Sequence, residues 1–238
     1  TCIEAGHPVP DDNAYKATQQ ILTLCDNLTS EDTVLFLLSG GGSALFEQPL
    51  IPPGELEDIT AQLLRSGASI TEINTIRKRL SAVKAGKFAH RCSPAQVKTI
   101  ILSDVLGDKV DMIASGPTVP DPTSSAEAQA VAERYSLRIS EEARRLLKID
   151  GPRTLPNAQA RVVGSVSKLC SAARSVAQDL GYESVVLTDS IDCDARAAVR
   201  FLASIARMHS KAGRKLALIA GGEIVVHVTG SGLCCRTQ

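Results

Sequence analysis

LFLLSGGGSALF, residues 35–46, carries an apolar run into three successive glycines set between Ser39 and Ser43, and then turns apolar again. With Thr33 and Val34 in front, the run TVLFLL predicts a short strand buried on both faces, the kind found in parallel sheets. The glycines then fall just past the strand's carboxyl end, where open α/β sheets bind their ligands. Backbone without Cβ atoms lets N–H groups close on an anion. Ser39, Gly40, Gly41, Gly42 and Ser43 therefore form a candidate phosphate or carboxylate pocket. A tight strand-to-helix turn with no ligand is the other reading of the same residues. Neither standard nucleotide loop fits: no lysine follows as in G-x-x-x-x-G-K-[ST], and Leu45 stands where G-x-G-x-x-G needs its last glycine.

Outward from that loop the chain alternates helix and strand patterns. Upstream, Ala14, Ala17, Ile21 and Leu24 share one helical face within residues 12–28. Downstream, residues 52–67 predict a helix with Leu56, Ile59, Leu63 and Leu64 inward and Gly67 as its stop. Ser69 and Glu72 spell a capping box ahead of a third helix, whose buried face carries Ile73, Ile76, Leu80 and Val83. VKTIILS, residues 97–103, is a second buried strand, and two helical segments follow Ser125 and end near Leu147. RVVGS, a helix over 169–180 and SVVLT make one β-α-β unit, and a helix over 195–209 precedes the strands in KLALIAGGE and IVVHVTG. The alternation predicts an α/β fold with a largely parallel sheet, covered on both faces and joined by right-handed crossovers. We expect a three-layer Rossmann-like domain over 1–215 and the start of a second α/β domain over 216–238.

The longest polar connection, residues 104–124, holds the second group of candidates. Asp104 ends the 97–103 strand and Asp108 follows after a glycine turn, a pair suited to Mg²⁺ or to substrate hydroxyls. The same two residues could instead cap a turn and meet solvent. Ser115, Gly116 and Thr118, in IASGPT, add hydroxyls and N–H groups that could face the same cleft. Arg77, Lys78, Arg79, Lys84 and Lys87 form a basic run, read either as a solvated face or, for Lys84 and Lys87 around Gly86, as cations leaning over a phosphate. His7 sits in a proline-held loop, whereas His90, His209 and His227 carry no pattern.

Composition sets the outer limits. The 26 Lys and Arg balance 26 Asp and Glu, so no global positive field argues for nucleic acid or membrane. Aromatics are 3% and tryptophan is absent, which argues against base-stacking platforms. Seven cysteines with no CxxC suit a reducing cytoplasm better than a disulfide framework or a zinc site. No apolar run is long enough to span a bilayer.

Taken together, EAGHPVPD, LLSGGGSAL, INTIRKRLSAVKAGK, ILSDVLGD, IASGPTVPDPT and IAGGE…VTGSG resemble the class II glycerate kinases, the D-glycerate 2-kinases, in the same order along nearly the whole chain. Members of that family are sometimes labelled hydroxypyruvate reductases. The resemblance implies ATP-dependent phosphorylation of D-glycerate to 2-phosphoglycerate with Mg²⁺, in a cleft between two α/β domains. It implies D-glycerate and nucleotide as partners, with a homo-oligomer compatible, and it places residues 216–238 at the start of the family's MOFRL domain. It also makes Arg236 the counterpart of the arginine in the family's Gly-Gly-Arg-Asn-Gln segment. Here Cys234 and Cys235 replace both glycines and Thr237 replaces the asparagine. The family's Gly-Ser-Asn reads Gly164-Ser165-Val166, and its upstream Gly-Lys segment has no counterpart after Thr1. The expectation is therefore a central fragment with no appreciable kinase turnover by itself. The competing readings are an NAD(P)H-dependent hydroxypyruvate reductase, which lacks its glycine fingerprint here, and a non-catalytic remnant that keeps the fold.

Overall fold

The computed structural model describes residues 1–7, 9–210 and 213–224. Its chain forms two compact units: Thr1–Leu102 with Lys109–Val163, and Ser103–Asp108 with the chain from Gly164 on. Helix α1 (Asp12–Leu24) opens the first unit, with Asp11 accepting from the Ala14 amide as N-cap. Strand β1 (Thr33–Leu38) ends at the glycines and leads into a one-turn helix, α2 (Gly42–Leu45). Then come α3 (Pro53–Arg65), α4 (Ile70–Leu80) and the short α5 (Lys87–Arg91) before β2 (Gln96–Leu102). Ser69 and Glu72 make the expected capping box of α4. Helices α6 (Ser125–Arg134) and α7 (Glu141–Leu146) lie between β2 and β3 (Ala158–Gly164).

The first unit's strands run in the order β1-β2-β3, and β1 pairs with β2 in parallel, Thr33 opposite Gln96 through Leu38 opposite Ile101. The β2–β3 bonds run the same way: Val97 N–H donates to Asn157 at one end and Ser103 N–H to Gly164 at the other. Parallel strands added one after another in a single direction, with right-handed crossovers, place every crossover on one face. Burial follows that rule. Val34, Phe36, Leu38, Val97 and Ile101 pack under the helices, whereas Leu35 is 60% exposed, Leu37 70% and Leu102 55%. Among the described residues the helices thus cover one face of these two strands, and Leu35, Leu37 and Leu102 stand on the other.

Two cores are present among the described residues of the first unit. Phe36, Phe46 and Phe88, with ring centroids 4.9–5.2 Å apart, fill the one below the glycine loop together with Leu22, Val83 and Val97. The other joins Leu56, Ile59 and Leu63 of α3, Ile73, Ile76 and Leu80 of α4, and Ala128 and Val131 of α6. Two helical faces differ from expectation. Helix α1 buries Ala14, Thr18 and Leu22, an i, i+4 row, and leaves Leu24 outside; α3 leaves Leu64 outside.

The second unit contains α8 (Val166–Asp179), β4 (Glu183–Ile191), α9 (Ala195–His209) and β5 (Leu216–Gly222). Strands β4 and β5 pair in parallel, and α8 packs on both. The expected β-α-β unit is thus divided: β3 completes the first sheet and β4 founds another. The parallel α/β class stands, carried by two sheets. Residues 225–230 of the expected IVVHVTG strand, with His227, Cys234, Cys235 and Arg236, lie outside the described residues.

Candidate functional site

Gly41 holds φ at +83°, a left-handed conformation that lets the chain leave β1 and start α2 at once. Gly42 answers to space: a Cβ there would come within 2.7 Å of Ala114 Cβ and 3.0 Å of Leu38 Cδ1. A Cβ on Gly41 would meet the His7 ring at 3.4 Å, so the N-terminal EAGHPVPD stretch reaches the loop as well. Locally, His7 is marked only by the prolines that hold its loop, not by this contact. Ser39 is exposed, while Gly40 and Ser43 are half-buried.

What holds α2 is buried charge. Lys84 Nζ donates to Ser43 O at 3.0 Å and Phe46 O at 3.2 Å, and Arg77 Nη2 donates to Ser43 O at 3.2 Å. These are carbonyls with no partner further along so short a helix, and cations at a helix C-terminus satisfy both hydrogen bond and dipole. Glu47, fully buried, stands 3.5 Å from both cations. Burial pushes the Lys84 ammonium below the usual lysine range and the Arg77 charge adds to this; the Glu47 carboxylate opposes it. Lys84 is thus a buried cation beneath the loop, bound to backbone oxygens.

Lys87, three residues on, does the same for another helix. Its Nζ donates to the carbonyls of Lys78, Arg79 and Ser81 at the end of α4, at 2.9, 3.2 and 2.6 Å. Burial, with Arg79 beside it, lowers its pKa to about 8. Lys78 and Arg79 are also buried. Lys78 pairs with Asp111 at 3.2 Å and Asp121 at 3.5 Å, and Arg79 pairs with Asp121 at 3.3 Å and donates to Thr123 O at 2.7 Å. The reading of this basic run as a solvated face is therefore corrected for these residues. Their acidic partners lie over 30 residues away in sequence, and this is what made the arrangement unreadable there.

The IASGPT turn meets the glycine loop where Ala114 touches Gly42. Ala114, Ser115 and Gly116 have φ of 50°, 61° and 65°, three left-handed residues in succession, two of them carrying side chains. The turn is secured to the Lys84–Lys87 bend: Ala85, Gly86 and Ala89 amides donate to the carbonyls of Ser115, Gly116 and Pro117. Ser115 and Thr118 are buried, with Ser115 Oγ facing Asn74 at 3.4 Å and Thr118 Oγ1 accepting from Thr99 at 2.7 Å. The structure thus brings Gly41, Gly42, Ser43, Lys84, Ser115 and Gly116 into one neighbourhood of the first unit.

Asp104 and Asp108 belong to the second unit. Asp104 is exposed. Asp108, with φ at 52°, lines a cavity of about 370 Å³ together with Leu106, Ser167, Asp189 and Ser190. No group of three or more His, Cys, Asp or Glu among the described residues is arranged as a metal cluster. A magnesium ion needs fewer, since it commonly takes one or two carboxylates and completes its shell with water and phosphate oxygens. Asp108 shares its cavity with Asp189, and Asp104 is not among the residues that line it.

Residues 1–148 match the family model described as Domain of unknown function (DUF4147). The chain belongs to this family. Among curated relatives it is 50% identical to the D-glycerate 2-kinase of Thermotoga maritima over 241 residues, covering 99% of this chain and 58% of that one. It is 38% identical to the glycerate 2-kinase of Pyrococcus horikoshii, covering 97% of this chain and 56% of the relative. The crystal structure of glycerate kinase from Thermotoga maritima superposes with a TM-score of 0.88 at 49% identity, over 97% of this chain and 57% of that one. The chain thus spans a little over half the length of these relatives. No helix among the described residues is long and apolar enough to cross a membrane.

Proposed function

We propose that the polypeptide containing these residues is a glycerate 2-kinase, transferring a phosphoryl group from ATP to the 2-hydroxyl of D-glycerate with Mg²⁺. One observation carries the reading: 50% identity to a D-glycerate 2-kinase along essentially the whole of this chain. The local chemistry agrees with it. Phosphoryl transfer asks a protein mainly to position its reactants and neutralise charge. On this reading the N–H groups of Gly40, Gly41, Gly42 and Ser43, with the Ser39 and Ser43 hydroxyls, receive an anionic group of the substrate or nucleotide. Lys84 contributes from below by fixing the loop, and Ser115, Gly116 and Thr118 brace its far side. Asp104 and Asp108 would hold Mg²⁺, which when bound neutralises phosphate charge. Arg236 is the further cation proposed for the transferring group. Residues 216–238 are proposed to open the second domain.

The test is an ADP-release assay on the complete polypeptide, coupled through enolase so that only 2-phosphoglycerate is scored. Turnover should require ATP, Mg²⁺ and D-glycerate together. Gly41→Val should raise KM for glycerate or ATP or abolish turnover, and Asp104→Asn and Asp108→Asn should each lower kcat/KM by roughly 10²-fold or more where a metal contact is lost. Oxidation of NAD(P)H by hydroxypyruvate, without ADP release, would replace this reading with that of a reductase.

A further inference from the structure

Cys25 and Cys92 are 67 residues apart in the chain, yet their sulfurs lie 3.6 Å from each other. Each ends a helix: Cys25 is the C-cap of α1 and Cys92 the C-cap of α5. Their side chains point into the core that holds Leu22, Phe88 and Val97, and Arg91 pairs with Asp26 across the same junction. Cys25 is 7% exposed and Cys92 0%. Cys2 and Cys193 are exposed, and Cys170 is buried in the second unit.

We infer that Cys25 and Cys92 form a thiol–disulfide couple that closes under peroxide and staples the ends of α1 and α5. A disulfide needs its sulfurs at about 2.05 Å, so closure asks the pair to approach by about 1.5 Å. Two side-chain rotations can supply that between sulfurs already in contact. Cys25, the more accessible thiol, takes the first oxygen: its thiolate attacks the peroxide, forms a sulfenic acid and releases water once a proton is taken up. Cys92 sulfur then attacks Cys25 Sγ, the S–S bond forms, and the sulfenic hydroxyl leaves as a second water with the Cys92 proton. Two thiols and one hydrogen peroxide thus give one disulfide and two waters. The segment closed by the bond, residues 26–91, contains β1, the glycine loop and the Lys84–Lys87 bend, so oxidation tightens the frame around the candidate site. Closure is slow: burial and the contact with Cys25 push the Cys92 thiol up to about 12, and the rate should rise with pH.

The experiment treats the reduced chain with hydrogen peroxide, blocks remaining thiols with iodoacetamide in denaturant, and maps non-reduced peptides by mass spectrometry. The expected result is a linked pair containing Cys25 and Cys92, lighter by two hydrogens than the reduced peptides. A rise in Tm of about 5 °C or more should accompany it, since the bond restricts the unfolded chain, and dithiothreitol should reverse the rise. Cys25→Ser should lose both effects; the peptide map of the unsubstituted chain decides the matter even where that variant folds poorly. Recovery of both residues as alkylated thiols, or of Cys25 as sulfinic acid beside free Cys92, would overturn the inference. So would linked peptides that join only Cys2 or Cys193.

Discussion

The two turns that follow β1 and β2 are built on opposite principles. The turn after β1 is fixed from beneath: Lys84 and Arg77 hold the carbonyls of α2, Glu47 lies between them, and Ala114 fills the space next to Gly42. The turn after β2 carries Asp104 and Asp108, and no ion pair with either is present among the described residues. One loop is held by buried cations on its carbonyls; the other carries carboxylates that, on the proposed reading, an outside cation would meet.

The largest expected effect tests the fixed loop. Lys84→Met would leave the Phe46 carbonyl without its cation and Glu47 and the Ser43 carbonyl with Arg77 alone; breaking a buried pair on one side costs about 3–5 kcal/mol. Urea unfolding should show that loss, and Lys84→Met with Glu47→Gln should recover part of it, since the buried carboxylate that lost its lysine is then gone. A cost under about 1 kcal/mol for the single variant would mean that the loop stands without its cation.

Lys87 gives the next effect, through pH. Its folded pKa of about 8 lies below the ordinary 10.5, so between those values the unfolded chain binds more protons and stability rises with pH. The destabilisation present below pH 8 should be relieved through this window by about 2–3 kcal/mol relative to Lys87→Met, which lacks the titrating group. Parallel stability–pH curves for the two proteins would remove Lys87 as a buried charge.

Gly42→Ala comes third. Overpacking against Ala114 and Leu38 should cost about 1–3 kcal/mol in denaturant unfolding, and Gly41→Ala about 1–2 kcal/mol through its left-handed φ. A neutral Gly42→Ala would mean that Ala114 gives way. Smallest of all, Asp104→Asn and Asp108→Asn should change stability by no more than about 0.5 kcal/mol; Asn accepts the left-handed backbone at 108 as readily as Asp does. A loss well above that would show that the second turn is also fixed, and the contrast between the loops would fail.

Much of the fold was legible because it is written locally. The strand-to-glycine junction at 38–42, the capping box at Ser69 and Glu72, and the helix at 195–209 each depend on neighbours a few residues apart. The candidate site was legible only in its loops. Its support was not, because Lys78, Arg79 and Lys84 look like any charged surface until Glu47, Asp111 and Asp121 come to meet them from distant positions. Which strand residues meet the helices was hidden for a related reason: exposed Leu35 and Leu37 have the same apolar character as buried Leu38.

The sequence by itself determined the alternation of helix and strand, the positions of the glycine turns and the balance of charge, since periodicity, capping and backbone freedom act over a turn or two of chain. Tertiary structure alone decided which charges are buried, which face of the sheet is covered, that β3 and β4 enter different sheets, and that Cys25 meets Cys92. Each of those depends on pairing between residues tens of positions apart, where desolvation and packing, rather than local propensity, set the free energy.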